Sequence, residues 1–352
     1  MKKALLIFAV IILAACSKKT EKDYVWDKGG EKVELSSVNE ENIETIKISY
    51  TGPLRTDSSE TLLDVLSTDI DRDISVNYSD INELFYLADK RQSKIIRVSK
   101  DGGIDYIFDK KGAGPGEILG PADIAINKNL VFIADTENYR VSVFDLDFNY
   151  IKSIEVTSKP NRLDVDSENN IYVIYSLPLG PLVHKYSYEG EYLFSFGKRK
   201  PEILDKISDP TTIACDLCVN DSDNIVLAYK HYYLVRYYDS KGVITKSLEG
   251  DMDTDGLSLE SLNNGDTSRR MLLGDIGIYN NKLIAPIVSP KSMEGEDRMS
   301  FDIIDTEDNT AANIYLDDQF YLNAVFIIDN KIYLFDFANL FMISAADLPA
   351  DL

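Results

Sequence analysis

Residues 112–156 read GAGPGEILGPADIAINKNLVFIADTENYRVSVFDLDFNYIKSIEV, and this stretch decides the fold. It opens with a Gly/Pro-rich corner and continues as four short segments in which apolar and polar residues alternate. Asn, Asp or Gly separates the segments, and no apolar stripe of helical spacing interrupts them. Four antiparallel strands within roughly 40 residues are typical of one blade of a β-propeller.

The blade pattern repeats along the chain. The segment Phe132–Asp135 has a close copy at Tyr86–Asp89, and weaker copies begin at residues 172, 226, 283 and 333. Asn/Asp-rich hairpin turns precede five of these segments, and both residue types tolerate the positive φ angles that tight hairpins need. A period of 40 to 57 residues with several strands indicates a propeller. We predict an all-β, six-bladed β-propeller of four-stranded antiparallel blades over residues 43–352.

The two ends of the repeat array complement each other. The last repeat, residues 321–344, has three strand-like segments, whereas a spare alternating segment precedes the first repeat. A three-stranded blade would expose an unpaired edge. We therefore predict that residues 45–50 close the ring as the outermost strand of the last blade, beside residues 340–344.

Composition limits the kinds of partner. The chain has 352 residues and a net charge of −22, with 27% charged and 44% hydrophobic residues. An acidic surface of this kind repels nucleic-acid phosphates, so we do not expect a nucleic-acid partner. The charge carries no information about the fold.

The N-terminal residues resemble those of an exported lipoprotein. Lys2 and Lys3 precede an apolar run over residues 4–15, which is too short to span a bilayer but suits a signal peptide. The run ends Leu-Ala-Ala-Cys at Cys16, which resembles the bacterial lipobox; the alternative is an ordinary signal peptide with an incidental Cys. We interpret residues 1–15 as a lipoprotein signal peptide and residues 16–42 as a flexible tether.

The lipobox resemblance carries implications for location. It implies a lipid on Cys16, with acyl chains such as palmitate that hold the protein at a membrane. Ser17 follows the Cys, which in enteric-type sorting points to the outer membrane. Which side of that membrane the protein would face is left open.

The glycine corner, the blade pattern and the lipobox together resemble the six-bladed β-propeller lipoproteins of Bacteroidetes, which are related in shape to NHL and TolB-like propellers. The resemblance covers residues 40–344 and is strongest over residues 83–145, because the later blades lack the glycine corner. It implies a fold and a cell-envelope location. That family has no common activity that could be transferred to residues of this chain.

The corner Gly112–Glu117 is the sharpest local motif. It lacks the Gly-Lys-Ser/Thr ending of a phosphate loop, and no helix follows it as a dinucleotide-binding motif requires. A weaker copy occupies residues 196–203, one blade later. We interpret the corner as structural, with Gly supplying unusual φ angles and Pro fixing the turn.

Residues 251–256 read DMDTDG, which resembles the opening of a calcium loop. Asp251, Asp253 and Asp255 are therefore candidate metal ligands, and Ca²⁺ is the one cofactor that the sequence suggests. Leu262 occupies the position where an EF-hand has its bidentate Glu. The alternative is a solvated acidic loop.

Cys215 and Cys218 have CxxC spacing, which is a weak motif by itself. Residues three apart in a strand point to opposite faces and lie about 10 Å apart, too far for a disulfide. There is no second Cys pair to complete a zinc site. We expect both to be buried as small hydrophobic residues, and a disulfide stays possible if the segment forms a turn.

Propeller channels collect side chains from the first strand of every blade. The polar residues of these strands are candidates for a channel or ligand site: Asp123, Asn161, Arg162, Asp164 and Asp275. A tyrosine cluster follows in the fourth repeat, and its members are candidates for a binding surface or for packing between blades: Tyr229, Tyr232 and Tyr233.

Two classes of function fit these features. The first is a non-enzymatic, monomeric propeller that binds a protein, peptide or glycan at the cell envelope. The second is a metal-dependent hydrolase or lyase of the propeller lactonase type, which needs carboxylates and Asn from several blades around one ion. We favour binding, because it needs only a rigid ring, variable loops and surface tyrosines.

Overall fold

The computed structural model describes the residues of the propeller and of four short N-terminal strands. The described ranges are 24–25, 31–34, 43–46, 48–53, 74–177, 180–197, 215–230, 234–249, 273–293, 296–305, 310–316, 322–336 and 341–347. Among them, no helix is long and apolar enough to cross a membrane. Cys16 and the aspartates at 251, 253 and 255 lie outside these ranges.

The described chain forms six sheets and one short 3-10 helix, Thr136–Asn138. Four N-terminal strands come first: β1 (Tyr24–Val25), β2 (Glu31–Glu34), β3 (Ile43–Ile46) and β4 (Ile48–Pro53). Blade one contains β5 (Ile74–Ser79), β6 (Leu84–Asp89), β7 (Lys94–Ser99) and β8 (Ile104–Phe108). Blade two contains β9 (Pro121–Asn127), β10 (Leu130–Asp135), β11 (Arg140–Asp145) and β12 (Tyr150–Glu155).

The remaining four blades follow the same order. Blade three contains β13 (Pro160–Val165), β14 (Ile171–Tyr175), β15 (Val183–Tyr186) and β16 (Tyr192–Phe196). Blade four contains β17 (Cys215–Val219), β18 (Ile225–Tyr229), β19 (Leu234–Tyr238) and β20 (Ile244–Glu249). Blade five contains β21 (Gly277–Tyr279), β22 (Lys282–Met293), β23 (Glu296–Asp305) and β24 (Thr310–Leu316). Blade six contains β25 (Leu322–Ile328), β26 (Lys331–Asp336) and β27 (Phe341–Asp347).

Antiparallel pairing joins each strand of a blade to the next, so the predicted six-bladed propeller is confirmed. The hairpin turns use the residues that the sequence analysis identified. Asn169, Asn280 and Asn330 have positive φ angles of 65°, 47° and 60°. The left-handed backbone conformation has a low energetic cost for Asn, and here it reverses the chain between the first and second strands.

Apolar cores fill the spaces between neighbouring blades. The core between blade one and blade six is rich in aromatic rings. The ring centroid of Phe85 in blade one lies 5.5 Å from that of Phe326, 5.4 Å from that of Tyr333 and 5.0 Å from that of Phe335. Aromatic contacts of this kind each add about 0.5–1.5 kcal/mol beyond simple burial. The ring is therefore closed by packing between blades one and six.

Backbone pairing by an N-terminal strand closes the ring as well. β4 lies antiparallel to β27, with Ser49 opposite Ser344 and Tyr50 opposite Ile343. This pairing confirms that an N-terminal strand completes the last blade. The predicted closing strand covered residues 45–50, but the structure assigns Ile43–Ile46 to blade five, where β3 runs parallel to β24.

Two further strands lie within residues 16–42, which the sequence analysis interprets as a flexible tether. β1 pairs in parallel with β16 of blade three, and β2 pairs in parallel with β20 of blade four. Over these two short ranges the chain is strand rather than tether. The physical reason is that the outer strand of a blade has free N–H and C=O groups to which a passing segment can pair.

Candidate functional site

The first strands of the six blades, β5, β9, β13, β17, β21 and β25, surround a central channel. Strands of consecutive blades contact each other around this channel. All six first strands run in the same direction along the channel, so that their starts lie at one mouth and their hairpin turns at the other. We call the second opening the hairpin mouth.

Three aspartates of the channel connect neighbouring blades. Each carboxylate accepts a hydrogen bond from a backbone N–H of the next blade, which lies in the first strand or, at Ile276, one residue before it. The contacts run from Leu163 N to Asp123 at 2.8 Å, from Val219 N to Asp164 at 2.7 Å, and from Ile276 N to Asp216 at 2.8 Å. Ser75 of blade one also donates its hydroxyl to Asp123. The carboxylates thus link blades one to five in series.

Two cations lie among these carboxylates. The Arg162 guanidinium is 3.5 Å from a carboxylate oxygen of Asp216 and 3.9 Å from one of Asp275. Lys230 forms an ion pair and a hydrogen bond with Asp275. Arg162 also donates to the backbone oxygen of Asn161 at 3.0 Å. The cluster is a network that joins blades three, four and five.

Burial dominates the acid–base behaviour of the cluster. It raises the pKa of Asp123 to about 7, although Arg162 counteracts the effect. It also raises the pKa of Asp164 to about 7, and two backbone N–H groups counteract it there. Burial raises the pKa of Asp216 as well. At Asp275 burial acts in the same direction, but Lys230 and then Arg162 outweigh it and lower the pKa.

Sequence reasoning found most of this cluster. Of its five candidates, four carboxylate or guanidinium side chains meet in the channel, and Asn161 lies beside them through its backbone oxygen. The sequence analysis did not identify Asp216 or Lys230 as members of the cluster. Asp216 lies inside the CxxC segment, which drew attention to the thiols, and Lys230 directly follows β18. The signal for Asp216 was its place in a first strand, like that of Asp123.

The hairpin mouth holds two adjoining cavities of about 460 and 500 Å³. They share lining residues from blades one, three and four, among them Asn77, Asp80, Asp164 and Asn220. Asp164 therefore connects the channel network to the open space at this mouth. Volumes of this size are within the range that small-molecule and peptide sites use.

The glycine corner has the structural role that the sequence predicts. A buried ion pair lies beside the corner, with Arg140 Nε 2.7 Å from a carboxylate oxygen of Asp135. The same guanidinium donates to three corner carbonyls: Ala113 at 3.1 Å, Gly114 at 3.0 Å and Glu117 at 2.9 Å. These bonds satisfy three carbonyl acceptors of the corner and hold its backbone in place.

Other candidates of the sequence analysis have separate outcomes. Cys215 and Cys218 do not form a disulfide with each other and are buried in the cores on either side of blade four, as expected. Tyr229, proposed for a binding surface, is 1% exposed in the core between blades three and four, so that proposal is wrong for this residue. Its strand places the side chain inward, where its hydroxyl accepts a hydrogen bond from Arg236 at 3.2 Å. Tyr232 and Tyr233 lie outside the described residues.

Metal ligation receives no support from the part of the chain that the structure describes. Within it, no group of three or more His, Cys, Asp or Glu side chains is placed to hold a metal ion. The channel carboxylates are near each other, but the backbone N–H groups and the two cations separate them. The calcium loop at 251–256 lies outside the described ranges, so its site stays a prediction.

The fold and channel define a closed six-bladed propeller, and comparison with known proteins gives the family. Residues 60–251 match the profile of a family described as a 6-bladed beta-propeller. This match spans more than half of the chain, so the protein belongs to that family. No curated protein matches the chain in sequence.

Solved structures share the fold at low sequence identity. A Bacteroides fragilis protein whose name describes it as exported is 12% identical, with a TM-score of 0.56 over 93% of this chain and 99% of its own. Virginiamycin B lyase from Staphylococcus aureus is also 12% identical, with a TM-score of 0.51 over 78% of this chain and 80% of its own. Identities this low support the architecture alone.

Proposed function

We propose that the protein is an exported, lipid-anchored propeller that binds a protein, peptide or glycan at the cell envelope without chemical turnover. The proposal rests on the hydrogen bonds and the ion pair that the channel carboxylates already form within the propeller. Asp123, Asp164 and Asp216 each accept a backbone N–H from the next blade, and Asp275 pairs with Lys230. Carboxylates used in this way stabilise the ring.

The competing hydrolase or lyase function needs the same carboxylates for an ion. A divalent metal site requires several oxygen ligands turned toward one point. In the channel, Arg162 and Lys230 already neutralise Asp216 and Asp275. A metal ion placed there would be repelled by the two cations already present, so a binding function is the better match.

The location follows from the N-terminal sequence. Cys16 closes a lipobox-like run, and a lipid on this residue would hold the ring near a membrane. The Bacteroides fragilis protein of the same fold is described as exported, which agrees with this placement. A ring near a membrane can present its hairpin mouth or its loops to a partner in the envelope.

The test is capture of a partner by the full-length protein in its own envelope. Affinity purification after mild crosslinking should retain a specific envelope component, which is then purified and shown to bind the isolated propeller. Deleting residues 251–269 should weaken that capture, because long loops on a rigid scaffold commonly carry binding residues. Metal-dependent turnover of lactones or esters by the purified protein would contradict the proposal.

Anchoring is tested separately by Cys16→Ser. The proposal expects this variant to stay unprocessed at the lipobox and to lose lipid labelling with radioactive palmitate. Cys215→Ser is the matched control, because it alters a buried thiol far from the N-terminus. Membrane-bound, fully processed Cys16→Ser protein would show that the lipid anchor is wrong.

A further inference from the structure

The hairpin mouth carries an excess of negative charge. Seven aspartates and one lysine line its two cavities. Three of these aspartates are neutralised by lysines of the propeller: Asp166 by Lys185 at 3.2 Å, Asp275 by Lys230, and Asp329 by Lys100 at 3.1 Å. The other four, Asp80, Asp164, Asp221 and Asp223, form no ion pair with any residue in the described ranges.

Asp164 has the clearest need for a counter-ion. It lines both cavities, and its carboxylate accepts two backbone N–H groups, from Val219 at 2.7 Å and from Val165 at 2.8 Å. Hydrogen bonds of this kind stabilise a carboxylate but do not neutralise it. A partly buried charge without a partner is costly, and a cation arriving in the cavity would remove that cost.

Ser79 provides an independent indication of a ligand. It lines the cavity of about 500 Å³ and is 2% exposed, and its hydroxyl has no hydrogen-bond partner among the residues that the structure describes. It follows Ser75 and Asn77 on the same face of β5, the face from which Ser75 reaches the channel carboxylate Asp123. Buried hydroxyl groups are normally satisfied, so an unsatisfied one that borders a cavity points to a bound polar group.

From these observations we propose that the hairpin mouth is a binding site for a basic peptide segment, with one Lys or Arg side chain inserted toward Asp164. This inference rests on the binding function proposed above and names its site and ligand class. The exposed carboxylates of Asp80 and Asp221 contact the rest of the segment electrostatically. The Asn77 and Asn220 side-chain oxygens accept backbone N–H groups of residues close to them in sequence, and their NH₂ groups can donate to carbonyls of a peptide backbone.

A basic side chain suits this mouth better than other ligands. A metal ion would need three or more ligands converging, and the described residues supply no such group. An ammonium or guanidinium group needs one carboxylate and nearby acceptors. An anionic glycan would be repelled by the unpaired aspartates.

The test uses isothermal titration calorimetry with three capped peptides: acetyl-Gly-Gly-Lys-Gly-Gly-amide, its Arg equivalent, and its acetyl-lysine equivalent. The Lys or Arg peptide should bind at least about tenfold more tightly than the acetyl-lysine peptide, because acetylation removes the positive charge that Asp164 would pair with. Equal affinity for all three would overturn the inference. Tighter binding of free spermidine than of both basic peptides would overturn the assignment to a peptide.

Variants locate the effect. Asp164→Asn should abolish the discrimination between the lysine and acetyl-lysine peptides, whereas Asp147→Asn should leave it unchanged. Asp147 is the matched control, since its side chain is 85% exposed and lies outside both cavities. Unchanged discrimination in a folded Asp164→Asn protein would contradict the proposal.

A second variant covers the case in which Asp164→Asn does not fold. The exposed pair Asp80→Asn/Asp221→Asn should reduce the discrimination by about threefold, since exposed charges contribute less. No reduction would overturn the inference. Capture of an envelope partner by a protein that ignores the basic peptides would refute this inference alone, whereas no capture by the unaltered protein would refute the proposed binding function.

Discussion

The carboxylate of Asp123 in blade two accepts the backbone N–H of Leu163 in blade three at 2.8 Å. The relationship recurs one blade further on between Asp164 and Val219, and again between Asp216 and Ile276. The apolar cores between blades pack the first strands side by side, and these hydrogen bonds add polar contacts across the same interfaces. These side-chain contacts therefore act as lateral connections between blades.

The first prediction concerns this connection. Asp123→Ala leaves the N–H of Leu163 and the hydroxyl of Ser75 without their acceptor, and we expect it to lower the free energy of unfolding by about 3 kcal/mol at pH 6. Urea unfolding followed by circular dichroism measures the change. The exposed Asp147→Ala should stay within about 0.5 kcal/mol of the unaltered protein. Equal stability of the two variants would show that the connection is unimportant.

The second prediction concerns the glycine corner. Arg140→Lys keeps the charge but cannot bond Asp135 and the three corner carbonyls at once, so it should cost about 2–4 kcal/mol. Arg91→Lys, at an exposed position, is the control and should be nearly neutral. The same unfolding assay compares them. If Arg140→Lys were as stable as Arg91→Lys, the corner would not depend on the guanidinium.

The third prediction compares two truncations. A protein that starts at residue 54 lacks β4, the closing strand of blade six, and we expect it to lose at least about 10 °C in melting temperature and to aggregate. A protein that starts at residue 47 keeps β4 and lacks β1, β2 and β3, which add fifth strands to blades three, four and five. It should melt close to the full chain. Similar melting of both truncations would contradict closure by β4.

The fourth prediction is a dependence of stability on pH. The pKa of Asp123 and of Asp164 is about 7 in the folded protein, above the unfolded value near 3.9, so the folded state binds more protons between these values. Their contribution is present below about pH 4 and is lost as the pH rises through about 7. His184 acts in the opposite direction, because burial lowers its pKa to about 4. Burial also raises the pKa of Asp216, which acts in the same direction as Asp123 and Asp164, so the aspartates outweigh His184.

We therefore expect the free energy of unfolding to fall by about 3 kcal/mol from pH 5 to pH 8. Asp164→Asn should reduce this fall, since the amide does not titrate. Urea unfolding at a series of pH values between 5 and 8 measures both proteins. A stability that rises with pH over this range would contradict the assigned pKa directions.

Local sequence signals were enough to predict the blades. Alternation of apolar and polar residues and the Asn turns act over a few residues, and the second strand of every blade begins within about two residues of the repeat segment identified in the sequence. The pairing of the N-terminal segment was harder. Residues 45–50 were correctly predicted to pair with the outer edge of a blade. Every blade has such an edge, so the sequence could not show that this segment is split between β3 on blade five and β4 on blade six.

The channel could be predicted only in part, because its contacts connect residues about 40 to 60 positions apart. Asp123 and Asp164 were recognisable from their places in first strands. The partners they bond are backbone groups of the next blade, which carry no sequence signal. The position of Tyr229 could not be predicted, because strand alternation shows only which face of the sheet a side chain lies on. Whether that face is exposed or covered depends on the neighbouring blade, which here buries Tyr229.

The most direct test of the structural role of the channel carboxylates is titration of Zn²⁺ and Mn²⁺ into the metal-free protein by calorimetry, alongside Asp123→Asn. The account predicts no stoichiometric metal binding that depends on Asp123, since Ser75, Ile124 and Leu163 already donate to its oxygens. One equivalent of metal bound by the unaltered protein and lost in Asp123→Asn would contradict it and would favour a channel metal centre.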